Sequence, residues 1–188
     1  MREGDRYTKR CRRWDVPGQA HALTFGCYRS RLFLSKQRTC DWLVEAIEAA
    51  RRRHAFELWA YVFMPNHVHL VVYPKGTTSS ISRILWAIKQ PVARRAIHYL
   101  REREPEGLGL LATGQQARPY RFWQKGGGYD RNITQVTTLV ETIRYIHNNP
   151  VRRQLVTTAT QWRYSSAAAW EGLSEGPLAI DRDSYPVF

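Results

Sequence analysis

Residues 20–28 alternate, with Leu23, Phe25 and Cys27 on one side and Thr24, Gly26 and Tyr28 on the other, which predicts a strand. From residue 38 to 53 the period lengthens. Leu43, Ala46, Ile47 and Ala50 recur at helical spacing, and Arg51-Arg52-Arg53 then suits a helix C-terminus, where cations meet free carbonyls. Residues 56–64 and 67–73 are apolar, aromatic and β-branched runs parted only by Pro65-Asn66, which reads as a tight hairpin. Residues 78–103 carry Ile81, Ile84, Leu85, Ile88 and Val92 on one helical stripe, and Pro91 is expected to kink or split that helix. A polar loop over 104–119 leads to a short strand at Tyr120–Trp123 and then Gly126-Gly127-Gly128. Residues 133–148 are helical again, with Val136, Leu139, Ile143 and Ile146 as the buried stripe. Beyond them, Pro, Gly and Ser punctuate the chain around a short helix near Ser165–Trp170.

The order strand, helix, strand, strand, helix, strand, helix predicts an α+β fold. Its form is a ferredoxin-like βαββαβ core with a mainly antiparallel sheet and an added C-terminal helical tail. The chain divides into a basic arm over 1–19, ending at Pro17-Gly18, a core over 20–150, and a tail over 151–188 that could touch a partner. No internal repeat or low-complexity tract interrupts it.

Composition adds a partner. The 188 residues are 43% hydrophobic and include seven Trp, ten Tyr and six Phe, enough for one domain with a real core. Lys and Arg number 29 against 16 Asp and Glu, a formal net charge of +13. Such a field attracts polyanions, nucleic acid first among them, and the arginine fork suits phosphate. Cys11, Cys27 and Cys40 are odd in number and form no CxxC pair, which fits a reducing compartment. Met1–Asp15 shows no apolar leader, and the longest apolar runs are too short for a bilayer. The expectation is a soluble cytoplasmic protein associated with the nucleoid.

Chemistry enters at His67 and His69. Two apart on one strand, they point to the same face, while Val68, Leu70 and Val72 point to the other. Two imidazoles can share one cation, or they can simply occupy an open sheet face, and two ligands do not close a site. A third ligand can come from the last helix. Tyr145 and Asn149 are four apart and share a helical face, with His147 aimed elsewhere. Pro150 works against this, because a residue before proline avoids helical geometry, so the helix is expected to end near Asn148.

Two segments together resemble a known family. Tyr61-Val62-Phe63-Met64-Pro65-Asn66-His67-Val68-His69-Leu70-Val71-Val72 is similar to the metal-binding strand pair of the HUH single-strand transposases. Tyr145-Ile146-His147-Asn148-Asn149-Pro150-Val151 resembles the catalytic-tyrosine segment of one branch, the REP-associated tyrosine transposases, relatives of the IS200/IS605 transposases. Phe122-Trp123-Gln124 and Trp162-Arg163-Tyr164-Ser165-Ser166 match that branch more loosely, and the resemblance spans roughly residues 20–170. It implies Tyr145 as nucleophile and His67, His69 and Asn149 as ligands of Mg²⁺ or Mn²⁺. It also implies a covalent 5′-phosphotyrosine that stores the energy of the cut bond for rejoining. A phenol ionises only near about pH 10, so the metal and cations such as Arg144 would have to assist.

The implied substrate is single-stranded DNA with hairpin-forming repeats, handled by a monomer or a homodimer. Arg10, Arg12, Arg13, Arg51, Arg52, Arg53, Lys89, Arg94, Arg95, Arg144, Arg152 and Arg153 could track phosphates, and Trp14, Tyr120 or Trp123 could stack bases. A domesticated hairpin-binding protein that no longer cuts, a phosphoesterase with no covalent step, and an RNA-binding protein are the competing readings.

Overall fold

The computed structural model describes residues 15–76 and 80–186; Arg10, Arg12, Arg13 and Trp14 fall outside them. Among the described residues the elements are β1 (Ala20–Gly26), α1 (Gln37–His54), β2 (Phe56–Met64), β3 (His67–Pro74), α2 (Ile81–Arg103), β4 (Tyr129–Ile133), α3 (Val136–His147), α4 (Asn149–Arg152) and α5 (Ala167–Trp170). The strands pair antiparallel in the order β2-β3-β1-β4. This is the α+β, ferredoxin-like βαββαβ arrangement with C-terminal helices.

Alternation along the strands feeds two cores, one on each face of the sheet. Leu23 and Phe25 of β1, Tyr61 and Phe63 of β2, and Val68, Leu70 and Val72 of β3 pack against Leu43 and Ile47 of α1 and Ile84 and Ile88 of α2. On the opposite face Val62, Met64, Val71 and Ile133 meet Leu139, Ile143 and Ile146 of α3. The histidine pair lies on the α3 face. No helix among the described residues is long and apolar enough to cross a membrane.

β2 is buried along its whole length although it ends the sheet. The C-terminal segment covers its free edge. Phe63 N donates to Tyr164 O at 2.8 Å, Tyr61 N to Ser166 Oγ at 2.9 Å, and Leu58 N to Asp181 Oδ2 at 2.7 Å. Covering an edge satisfies its backbone groups and blocks pairing with other chains. Asp181 also accepts from Arg51 Nη2 at 2.6 Å, so Arg51 anchors this segment. Asp181→Ala should therefore cost about 1–3 kcal/mol, read as a lower urea midpoint with an unchanged slope.

Pro65-Asn66 makes the predicted hairpin turn. Proline cannot take positive φ, so the usual two-residue hairpin geometry is closed to this turn. Neighbouring segments support it instead: Leu34 N donates to Pro65 O at 2.9 Å and Cys27 N to Asn66 O at 2.8 Å. The turn thus holds His67 at the start of β3.

Three sequence expectations change. Tyr120–Trp123 is not a strand; it makes only isolated bridges, Ala112 with Tyr120 and Cys27 with Trp123. Its apolar residues fill the core instead, and Trp123 Nε1 donates to Lys89 O at 2.8 Å. The fourth strand is Tyr129–Ile133, so the following helix begins at Val136 and not at residue 133. Gly128 permits that pairing: its φ is +77°, and a Cβ there would stand 2.0 Å from Thr24 O. Pro91 does not split α2. It lies on the solvent side, where water can take the carbonyl left without a donor.

Candidate active site

β1 and β3 set the histidines. In the register Thr24 faces His69 and Gly26 faces His67. His67 Nδ1 lies 2.6 Å from Asn66 Oδ1, and His69 Nδ1 lies 2.8 Å from Thr24 Oγ1. The two Nε2 atoms stand 3.0 Å apart. An amide oxygen only accepts, so the His67 proton sits on Nδ1 and its Nε2 carries a lone pair. A proton or a cation must then lie between the two Nε2 atoms. Two nitrogens each about 2.1 Å from one ion and about 90° apart are themselves about 3.0 Å apart. The pair therefore fits a shared cation, with Asn66 and Thr24 fixing the rings from behind.

Burial lowers the His67 pKa, with Arg153 adding to the effect. Burial lowers His69 further, to about 3, with His67 contributing. Both rings are neutral near pH 7 and available as ligands. Among the described residues no three His, Cys, Asp or Glu side chains converge.

α3 carries Tyr145 to the same place. Its ring centroid is 6.4 Å from that of His69, edge to face, and the side chain is 52% exposed. The guanidinium of Arg152, on α4, lies 5.0 Å from the Tyr145 ring centroid. The cation against the tyrosine is thus Arg152. The positive charge of Arg144 acts on Tyr185, whose hydroxyl burial pushes up. α3 ends at His147 with Asn148 as its cap, and Asn149 opens α4 with Pro150 in its first turn. Asn149 is buried, and its amide nitrogen donates to Tyr145 O at 3.0 Å and Ile146 O at 3.4 Å. That nitrogen closes the helix end, so Oδ1 is the atom left to serve a cation. His147 turns away and pairs with Ser166 Oγ at 2.8 Å.

A cleft of about 520 Å³ opens beside His69. β-sheet residues Thr24, Tyr129 and Arg131 form one wall, and Thr138, Glu141, Thr142 and Tyr145 of α3 form the other. None of Thr24, Tyr129, Arg131 and Glu141 was anticipated from sequence. Thr24 becomes visible only once the β1–β3 register is known, and Tyr129 and Arg131 belong to the strand that the apolar pattern missed.

The structure separates several of the other candidate cations from this cleft. Arg51, Arg52, Arg94 and Arg95 lie on α1 and α2, across the sheet from His67 and Tyr145. Arg94 bonds Gln90, and Arg95 pairs with Glu45. Lys89 donates to Gly126 O. Trp123 is core, and Tyr120 packs half-buried against it. Cys27 and Cys40 are unpaired, and burial pushes each thiol up to about 12.

An antiparallel α+β sheet that sets a histidine pair against a helix-borne tyrosine has the layout of a small tyrosine transposase. The chain belongs to the IS200-like transposase family, whose model matches residues 17–149. The fold is similar to the solved structure of a REP-associated tyrosine transposase bound to a REP hairpin. That likeness has 22% identity and a TM-score of 0.67 and covers 96% of this chain and 95% of that one. A putative transposase from Deinococcus radiodurans shares 19% identity at a TM-score of 0.44, over 79% of this chain and 97% of its own. No curated protein matches the sequence.

Proposed function

We propose that this transposase is a metal-dependent single-stranded DNA endonuclease and strand transferase of the REP-associated branch, acting at hairpin-forming repeats. The observation that carries this reading is Tyr145, exposed on α3 against His69 and under Arg152. Tyr145 Oη attacks the scissile phosphorus. The Oη–P bond forms, the P–O3′ bond breaks, and the departing O3′ takes a proton to become a free 3′-hydroxyl. Oη loses its proton to solvent as the Oη–P bond forms, and the Arg152 guanidinium stands 5.0 Å from the ring centroid. A second 3′-hydroxyl reverses the step and joins strands.

His67 Nε2, His69 Nε2 and Asn149 Oδ1 would hold the cation. Bound there, Mn²⁺ or Mg²⁺ would neutralise charge on the phosphate, with the nitrogen-rich set favouring Mn²⁺. A net charge of +13 suits a DNA partner, and the solved relative is bound to a REP hairpin.

The test is an end-labelled hairpin oligonucleotide from DNA flanking the gene. A protein–DNA adduct that survives a denaturing gel is expected with Mn²⁺ or Mg²⁺ and none with EDTA. Tight binding with no cutting under either metal would make this a hairpin-binding relative. Cutting with no adduct would make it a simple phosphoesterase.

Thr24→Val keeps the shape of the side chain and removes the oxygen behind His69. Mn²⁺ affinity should fall about 10- to 100-fold, measured by calorimetric titration.

A further inference from the structure

The cleft beside Tyr145 contains a carboxylate that the proposed chemistry does not use. Glu141 lies one helical turn before Tyr145, about 6 Å along the axis, and lines the same cavity. Thr138, Glu141, Thr142 and Tyr145 fall on one stripe of α3 because they are three or four residues apart. Across from them stand Tyr129, half of its surface exposed, and Arg131.

A carboxylate is out of place on a wall that meets phosphate, since like charges repel. Glu141 is not neutralised locally, as it makes no ion pair with any described residue. Its position makes sense if it meets something other than phosphate. A nucleobase has that chemistry. Exposed tyrosine rings stack bases, arginine holds the backbone, and a carboxylate accepts hydrogen bonds only from base donors. In a single strand the pairing edge of each base is open for this.

Resting on the strand-cutting reading above, we propose that this cleft binds the base next to the scissile phosphate and that Glu141 selects guanine there. Guanine alone offers two parallel donors on its pairing edge, N1–H and N2–H, matching the two carboxylate oxygens. Thymine offers one N–H between two carbonyls, which face a carboxylate badly. Cytosine and adenine offer a single amino group. Tyr129 stacks on the base, and Arg131 takes the adjoining phosphate. One extended nucleotide spans the turn between Glu141 and Tyr145.

The test is binding without cutting, in EDTA, so it does not depend on whether Tyr145 is a nucleophile. Fluorescein-labelled TTGTT, TTATT, TTCTT and TTTTT are titrated by anisotropy. TTGTT should bind about 10-fold tighter than TTTTT, the scale of one bidentate contact. Replacing the central guanine by hypoxanthine, which lacks N2, should remove most of that preference. Glu141→Gln should bring TTGTT down to the level of TTTTT, and Tyr129→Ala should weaken all four. Equal affinities across the set, or a guanine preference that survives Glu141→Gln, would overturn the assignment. The hypoxanthine arm probes the same contact on unaltered protein. Loss of adduct formation with an intact guanine preference would instead sink the nuclease reading.

Discussion

Tyr145→Phe is expected to abolish the covalent adduct and to lower hairpin cleavage by about 10⁴-fold or more, the scale seen when a nucleophile is removed. The substitution deletes one oxygen and nothing else. Phe keeps the ring edge-on to His69 and under the Arg152 guanidinium, and the position is half-exposed, so packing changes little. Hairpin binding should persist, because the phenyl ring and the cations around it remain. Mutant and wild type are compared by single-turnover cleavage with excess protein, and binding is read separately by anisotropy. Cleavage at an undiminished rate would remove Tyr145 from the chemistry.

His69→Ala is expected to have the next largest effect. In the proposed site the two nitrogens 3.0 Å apart would share one cation, and losing either would leave too few ligands to hold it. Cleavage should fall at least about 100-fold, and added Mn²⁺ should restore only part of it. His69 is buried beside Thr24, so part of the effect could come from packing. His147→Ala separates the two causes. His147 is equally buried, and burial lowers its pKa to about 4, but it bonds Ser166 away from the cleft. It should lower the thermal midpoint while the folded protein still cuts. If His69→Ala and His147→Ala lose activity only in step with stability, the histidine pair holds structure and not metal.

The strongly apolar elements were legible in the sequence because burial on one face writes a period into the chain. The stripes Leu43–Ala50, Ile81–Val92 and Leu139–Ile146 all point to the core, and Val68, Leu70 and Val72 turn away from the histidines. β4 was illegible for a physical reason. Tyr129-Asp130-Arg131-Asn132-Ile133 is polar because its partners are polar: Asp130 is buried against His21 Nδ1 at 2.9 Å, and Tyr129 and Arg131 face the cleft. Phe122 and Trp123 misled in the opposite sense, since they are buried in a loop and not in a strand.

The site was half legible. His67, His69 and Tyr145 carry their signal in local spacing, and the fold brings His69 and Tyr145 ring to ring. Thr24 and Arg152 depend on strand register and on the turn after α3, which no local pattern encodes. Asn149 shows both sides. α3 does end next to Asn148, but Asn149 before Pro150 is itself helical, opening α4, against the residue-before-proline expectation, and its side chain reaches back to the Tyr145 carbonyl.

The most direct measurement is mass spectrometry on the denatured adduct. The protein is incubated with a hairpin oligonucleotide and Mn²⁺, digested with nuclease down to the linked nucleotide, then cut with trypsin. Cleavage after Arg144 and Arg152 releases Tyr145–Arg152 as one peptide. That peptide should carry a single nucleotide on Tyr145 through its 5′-phosphate. A nucleotide on any other residue, or cut DNA with free 5′-phosphate ends and an unmodified Tyr145 peptide, would contradict the assignment of Tyr145 as the nucleophile.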